Sequence, residues 1–332
     1  MILELKNISV RFSSGHNVQA VEDVNLNVAW QDKVAVVGET GSGKSILLLA
    51  ILHLLPENAI VTGQALFDGI DLLTLKRREL DKIRGARISY VPQGSGNGMN
   101  PLYNVGFQVA EPMIEHQHVP KKEGFAKAVE LMRRFHMGNE EKLARQYPHT
   151  YSGGMRQRAL IAMGIGAGAE MLLADEPTKG LDERRIALVV ESFKLLADKT
   201  ILCVTHDLNF AGTISNYICV MYAAMQVEYA RTEDILKNPL HPYTRDMLAA
   251  MPENGLNFNK GFAMSHEDYE GAGCKYAKRC SDCFERCMEA PPLFNIGGRQ
   301  VRCWKYAGDD GNDQMKEVAG RVYTDPRSDK EI

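Results

Sequence analysis

The sequence lacks an apolar run long enough to cross a lipid bilayer. Its longest apolar segment, residues 46–55, is interrupted by His53 and has about half the length that a membrane-spanning helix needs. Residues 1–6 have neither the basic nor the apolar region of a signal peptide. We therefore expect a cytoplasmic chain whose role at a membrane, if it has one, is peripheral.

An excess of positive charge is also missing. The 332 residues include 39 Lys and Arg against 42 Asp and Glu, which gives a net charge of −3. Proteins that bind nucleic-acid backbones usually carry a basic excess, so this balance argues against such a partner. The length suits one large domain with a smaller one.

Cysteine is rare in the first 270 residues. Cys203 and Cys219 lie there in apolar, strand-like runs and are interpreted as small core residues. The other five fall within thirty positions of one another, at Cys274, Cys280, Cys283, Cys287 and Cys303. A reducing compartment disfavours disulfides, so these five predict a metal or iron–sulfur site.

What the sequence does contain is a glycine-rich loop between a strand pattern and a helix pattern. Residues 38–45 read Gly-Glu-Thr-Gly-Ser-Gly-Lys-Ser, and apolar runs flank them on both sides. Such a loop turns its backbone N–H groups toward phosphate oxygens at a helix N-terminus. Lys44 can reach the β- and γ-phosphates, and Ser45 can bind Mg²⁺. The predicted nucleotide contacts are Gly38, Glu39, Thr40, Gly41, Ser42, Gly43, Lys44, Ser45 and Ile46.

Two carboxylates follow another apolar strand pattern at residues 171–174. Asp175 is placed to hold Mg²⁺, and Glu176 is placed to act as general base toward a water molecule. An Asp-Glu pair is elsewhere a common solvated turn, and the phosphate loop upstream favours the catalytic interpretation.

A second anion site is predicted at residues 151–158, Tyr-Ser-Gly-Gly-Met-Arg-Gln-Arg. Ser152 is a good helix N-cap, and Gly153 and Gly154 expose backbone N–H groups at the positive end of the following helix. The ordinary alternative is a simple helix cap.

The order of strand and helix patterns predicts an α/β fold with a P-loop NTPase core and a parallel sheet. Alternating residues at 2–10 and 18–28 predict an N-terminal antiparallel β subdomain. The long interval between Lys44 and Asp175 predicts an inserted helical subdomain at about 94–160.

These motifs together resemble the ATP-binding subunits of ABC transporters over roughly residues 1–240. The resemblance rests on residues 38–45, Gln93, residues 152–157, residues 172–176, residues 181–182 and His206. It implies a head-to-tail pair of subunits, in which each ATP lies between one phosphate loop and the partner's Ser-Gly-Gly segment. Met155 departs from the commoner Gln at that position of the signature.

The resemblance also implies a role for each matched residue. Gln93 would contact Mg²⁺ and sense the membrane partner, His206 would contact the γ-phosphate, and Asp182 would lie at the dimer seam. Phe12 is the candidate for stacking on adenine, with His16 as the alternative. Together with Lys44, the residues expected to be catalytic are Glu176, His206 and Gln93.

Residues 238–245 and 249–252 look like a segment of dipeptide and oligopeptide permease ATPases, which nickel and metal-chelate importers share. The same branch implies a small C-terminal Cys-rich domain in which some members hold a [4Fe–4S] cluster. The implied ligands are Cys274, Cys280, Cys287 and Cys303. Cys283 is extra to that pattern and forms a Cys-x-x-Cys pair with Cys280, so zinc remains an alternative.

The expected domains are a nucleotide-binding domain at 1–238, a C-terminal domain at 239–306 and a flexible polar tail at 307–332. The expected function is ATP hydrolysis that energises import of di- and oligopeptides, with nickel, metallophore or opine-like cargo as the alternative. A soluble ABC-type ATPase acting on nucleic acid is a further alternative. The expected partners are a second, unlike ATPase subunit, two transmembrane permease subunits and an extracytoplasmic binding protein, at the cytoplasmic face of the membrane.

Overall fold

A central sheet of short apolar strands carries the fold. The structure is a computed structural model and describes residues 1–14, 16–94, 98–256 and 273–308. The strands are β1 (Leu3–Ser14), β2 (His16–Val28), β3 (Lys33–Gly38), β4 (Ala59–Phe67), β5 (Ile70–Asp71), β6 (Ile88–Val91), β7 (Met171–Asp175), β8 (Thr200–Thr205), β9 (Tyr217–Tyr222), β10 (Met225–Arg231), β11 (Phe294–Ile296) and β12 (Arg299–Val301).

The strand order is β5-β4-β1-β2-β10-β9-β3-β8-β7-β6. Strands β9, β3, β8, β7 and β6 run parallel, and residues of β7 and β8 are buried throughout, as expected where helices cover both faces. β10 pairs antiparallel with β9. The predicted parallel core is therefore present, but the complete sheet is mixed.

The predicted N-terminal antiparallel subdomain is confirmed. β1 pairs antiparallel with both β2 and β4. A single bridge between Met225 and Glu22 joins these strands to the rest of the sheet. Apolar residues of β1, β2 and β4 form one core together with α1 and with residues of β3, such as Val34 and Val36.

Helices surround the parallel strands. They are α1 (Lys44–Ile51), α2 (Arg77–Leu80), α3 (Val105–Gln117), α4 (Lys121–Arg134), α5 (Glu140–Ala144), α6 (Gly153–Gly166), α7 (Glu183–Lys194), α8 (Leu208–Ile214), α9 (Thr232–Lys237) and α10 (Pro242–Ala249). Within the described ranges, no helix combines the length and apolar character needed to cross a membrane.

The predicted helical insertion corresponds to α3–α6, which lie in the chain between the neighbouring strands β6 and β7. A second core packs these helices on the sheet, with Val109 of α3, Met132 of α4 and Leu160 of α6 fully buried or nearly so. The bounds of this subdomain remain a prediction, and most of the predicted tail, residues 309–332, lies outside the described part of the chain.

The segment after β10 is joined to the main sheet. β12 pairs with β10 at Glu228 and Val301. The buried carboxylate of Glu228 accepts hydrogen bonds from the backbone N–H groups of Leu240 (2.8 Å) and His241 (2.9 Å) and from Nη2 of Arg299 (3.0 Å). A separate C-terminal Cys-rich domain is therefore not shown, because a buried polar centre and a strand pair attach this segment to the ATPase sheet.

His241 caps α10 from a buried position. Its Nδ1 accepts the backbone N–H of Tyr243 at 3.0 Å, so the ring must be neutral at this nitrogen. Burial, with a smaller contribution from the charge of Arg245, lowers the pKa of His241 to about 3.

We expect this histidine to make the fold acid-sensitive. The folded pKa lies below the unfolded value of about 6.5, so the stabilisation is complete above that pH and is lost as the pH falls toward 3. At pH 5.5 the loss is about 1.4 kcal/mol. His241→Asn keeps a capping acceptor without a titrating ring. Thermal unfolding at pH 7.5 and 5.5 should show a smaller pH-dependent drop in Tm for this variant. An identical drop in both proteins would contradict the assignment.

Candidate active site

The glycine loop connects β3 to α1 at the carboxyl end of the parallel strands, where α/β sheets bind ligands. Two of its glycines are required by close backbone approaches. A Cβ at Gly38 would lie 2.1 Å from the carbonyl oxygen of Met221, and one at Gly43 would lie 2.2 Å from that of Ala20. Any side chain there would displace β9 or β2, so the loop conformation is built on glycine.

The side chain of Lys44 folds back onto the backbone of the loop. Its Nζ donates to the carbonyl oxygens of Gly38 and Glu39, both at 2.8 Å. Burial lowers the pKa of Lys44, and the nearby carboxylates of Glu176 and Asp175 oppose that shift. The ammonium group is thus held at the loop, where phosphate oxygens can replace the carbonyl oxygens as its partners.

The remaining residues predicted at the loop have different surroundings. Ser42 is buried and its N–H donates to the carbonyl oxygen of Glu39 (3.2 Å). Thr40 and Gly41 are exposed. Ile46 is half-buried, and its side chain packs against the main core.

Hard oxygen ligands meet beside the loop. Ser45 Oγ donates to Asp175 Oδ1 at 2.8 Å, and Tyr90 OH donates to Asp175 Oδ2 at 3.2 Å. Burial raises the pKa of Asp175, while these two hydrogen bonds act against the rise. A hydroxyl and a single carboxylate suit Mg²⁺, which takes its remaining ligands from phosphates and water. Tyr90 was not predicted from the sequence.

Gln93 lies at the same edge of the sheet. Val91, the last residue of β6, pairs with Ala174 of β7, so Gln93 follows the strand next to the one that ends in Asp175. Its side chain is exposed. The structure thus brings Gln93 to the edge of the sheet at which Asp175 lies.

Glu176 and His206 contact each other directly. Asp175 pairs with Val204, which places the residues after β7 and β8 side by side. Oε2 of Glu176 lies 2.7 Å from Nδ1 of His206, although the residues are 30 positions apart. The Glu176 carboxylate is buried, whereas about half of the His206 side chain is exposed. This pair can orient a water molecule and accept its proton.

The backbone at Glu176 is held in a left-handed conformation, with φ of +46°. Its N–H donates to the carbonyl oxygen of Val204 at 2.8 Å, which fixes this conformation. A non-glycine residue in that region carries backbone strain.

The Ser-Gly-Gly segment forms the start of α6, where Ser152 is exposed, Gly153 is half-buried and Gly154 is buried. Ser152 caps the helix by accepting the N–H of Met155 at 3.3 Å. A Cβ at Gly154 would contact the side chain of Arg185 at 3.4 Å, and the Arg185 N–H is bonded to the carboxylate of Asp182 at 3.0 Å. The structure therefore packs Gly154 of α6 against Arg185 of α7, the helix that Asp182 caps.

Phe12 lies on β1, half-buried against the main core. Its role in adenine stacking stays a prediction. The side chain of His16, the alternative, lies outside what the structure describes.

The predicted iron–sulfur or zinc centre is not supported. In residues 1–14, 16–94, 98–256 and 273–308, no three His, Cys, Asp or Glu side chains are arranged to hold a metal ion. Burial raises the pKa of Cys274 to about 11 and that of Cys280 to about 12. Cys287 and Cys303 are buried, Cys274 and Cys280 are half-buried, and Cys283 is exposed.

Comparisons with known proteins agree with this geometry. The family profile described as "ABC transporter" matches residues 21–179, and that of "Oligopeptide/dipeptide transporter, C-terminal region" matches residues 227–287. The chain is 35% identical over 318 residues to the oligopeptide transport ATP-binding protein AppD of Bacillus subtilis (strain 168), covering 92% of this chain and 97% of that protein. It is 34% identical over 313 residues to OppD of Escherichia coli (strain K12), covering 92% and 93%.

A solved structure shares the ATPase part of the fold. The ATP-binding cassette MJ0796, in a dimeric post-hydrolysis state bound to ADP and Pi, superposes with a TM-score of 0.62 at 28% identity. The match covers 69% of this chain and 98% of that one. The family resemblance and the expected ATPase activity are thereby confirmed, and the chain belongs to the ABC transporter ATP-binding family, in the branch that carries the oligopeptide/dipeptide transporter C-terminal region.

Proposed function

We propose that this chain hydrolyses ATP to drive import of di- and oligopeptides across the cytoplasmic membrane. The observation that carries the cargo assignment is the match of residues 227–287 to the oligopeptide/dipeptide transporter C-terminal region. The names of AppD and OppD, which align over nearly their whole length, support it.

The proposed mechanism uses residues of two ATPase subunits. Residues 38–45 hold the phosphates, with Lys44 on the β- and γ-phosphates. Ser45, Asp175 and Gln93 would hold Mg²⁺, which would neutralise charge on the phosphates when bound. Glu176 orients the attacking water and accepts its proton, and His206 positions that carboxylate and contacts the γ-phosphate.

The second subunit contributes its Ser-Gly-Gly helix end to the same ATP. Ser152 is exposed and Gly153 is half-buried at the N-terminus of α6, and a helix N-terminus offers positive charge to an anion on another chain. The dimeric state of MJ0796 supports this arrangement. We propose an unlike ATPase subunit as the partner, with Asp182 at the seam.

The remaining partners are two transmembrane permease subunits and an extracytoplasmic binding protein, which place this subunit at the cytoplasmic face of the membrane. No iron–sulfur or zinc centre forms part of the proposed function, because among the residues that the structure describes no three His, Cys, Asp or Glu side chains are arranged to hold a metal ion.

Deleting the gene in its native host tests the cargo. We expect uptake of a radiolabelled tripeptide to fall to background and to return with the wild-type gene but not with Glu176→Gln. Nickel uptake, measured in the same cells, should not change. Loss of nickel uptake with normal tripeptide uptake would replace the peptide assignment by the metal alternative.

A further inference from the structure

Arg279, which lies next to Cys280 in the C-terminal segment after β10, contacts the phosphate loop. Nη1 of Arg279 lies 3.0 Å from Oε1 and 3.3 Å from Oε2 of Glu39, across 240 positions of sequence. The Arg279 side chain is 14% exposed and that of Glu39 is 33% exposed. This shielding makes the ion pair stronger than one between fully solvated side chains.

Aromatic rings hold the guanidinium group in place. Its central carbon lies 5.6 Å from the ring centre of Tyr222 and 5.5 Å from that of Tyr276. The two rings pack edge to face at 5.1 Å. Tyr222 is the last residue of β9, the strand beside β3. Arg279 is therefore oriented before any nucleotide binds, with little side-chain entropy left to lose.

A second side chain from the C-terminal segment holds the same loop residue. The hydroxyl oxygen of Tyr243, on α10, accepts the backbone N–H of Glu39 at 3.1 Å. Burial raises the pKa of Tyr243 above its ordinary value, so the hydroxyl stays neutral. Since Lys44 bonds the carbonyl oxygen of Glu39, three groups of one loop residue are fixed: the N–H, the carbonyl and the carboxylate.

We propose that Arg279 is a positioning residue for nucleotide binding, which acts through Glu39 to keep the phosphate loop in its binding conformation. Tyr243 holds the same residue, Glu39, by accepting a hydrogen bond from its backbone N–H. The C-terminal segment thus sets the nucleotide affinity of the ATPase sheet to which it is attached. The inference depends on nucleotide binding alone, so it stands or falls independently of the peptide assignment.

The test is a double-mutant cycle on the full-length chain. Arg279→Gln should weaken binding of a fluorescent ATP analogue about fivefold, since the pair is partly shielded, and Glu39→Gln should do the same. The double variant should be no weaker than either single one, because both remove one interaction. Arg279→Lys should recover part of the affinity. In the assembled transporter, Arg279→Gln should raise KM for ATP and leave kcat within about twofold.

Lys275→Gln is the matched control. Lys275 comes from the same segment and also binds the ATPase part, at the carboxylate of Glu22 and the carbonyl oxygen of Ala223 (2.9 Å). We expect this variant to bind the analogue like wild type. Amide hydrogen exchange of residues 38–45 should accelerate in Arg279→Gln and not in Lys275→Gln, which separates a loosened loop from general unfolding.

Three results would overturn the proposal. They are wild-type affinity in Arg279→Gln, an equal loss of affinity in Lys275→Gln, and additive losses in the Arg279 and Glu39 double variant. The last outcome would show that the two side chains affect nucleotide binding independently of their contact.

Discussion

Replacing Glu176 by glutamine should stop ATP hydrolysis and leave ATP binding intact. Glutamine has the same size and can keep the contact with His206, whose Nδ1 lies 2.7 Å from the carboxylate. An amide cannot accept the proton of the attacking water. Loss of a general base costs about 10²–10⁴ in rate, so phosphate release by the assembled transporter should fall by at least that lower factor.

The ATP-bound dimer of the Glu176→Gln variant gives a second result to measure. We expect ATP to hold the Glu176→Gln dimer closed, because hydrolysis is the step that reopens it. Glu191→Gln is the control, since Glu191 lies on the exposed face of α7 and pairs there with Lys194. Near-normal turnover in Glu176→Gln would remove this carboxylate from the role of general base.

Replacing Ser152 by arginine should separate binding from hydrolysis. Ser152 is exposed at the start of α6, and in the proposed dimer it meets ATP held by the other subunit. The isolated chain should therefore bind the nucleotide analogue as wild type does. The assembled transporter should lose about 10²-fold in hydrolysis, as when one transition-state hydrogen-bond donor is removed.

Two comparison variants make this prediction sharp. Lys44→Ala should lose nucleotide binding in the isolated chain, because Lys44 belongs to the chain's own phosphate loop. Ser152→Asn keeps a good N-cap and should still hydrolyse ATP more slowly than wild type, which excludes loss of the cap as the cause. Weakened binding of nucleotide by isolated Ser152→Arg would contradict the two-subunit site.

Local patterns predicted much of the fold. The apolar runs that became β3, β7 and β8 were identifiable because strands covered on both faces are apolar throughout. The antiparallel pairing of β10 with β9 was not predicted. Nearly all residues of β10 are buried, so its sequence does not distinguish an antiparallel strand from a parallel one. The close spacing of five cysteines along the chain predicts a metal centre. Spacing along the chain does not determine how the side chains are arranged in space, and their arrangement does not support that prediction.

The sequence alone determined the position of the phosphate loop and identified Lys44 and Ser45 as the side chains that contact the phosphates and Mg²⁺. There the function depends on consecutive backbone conformations, and glycine, lysine and serine at fixed spacing specify them. Only the tertiary structure decided that Glu176 bonds to His206, that Tyr90 bonds to Asp175, and that Glu39 is held by Tyr243 and Arg279. These partners are 30 to 240 positions apart, and the order of strands in the sheet, which no short segment encodes, brings them together.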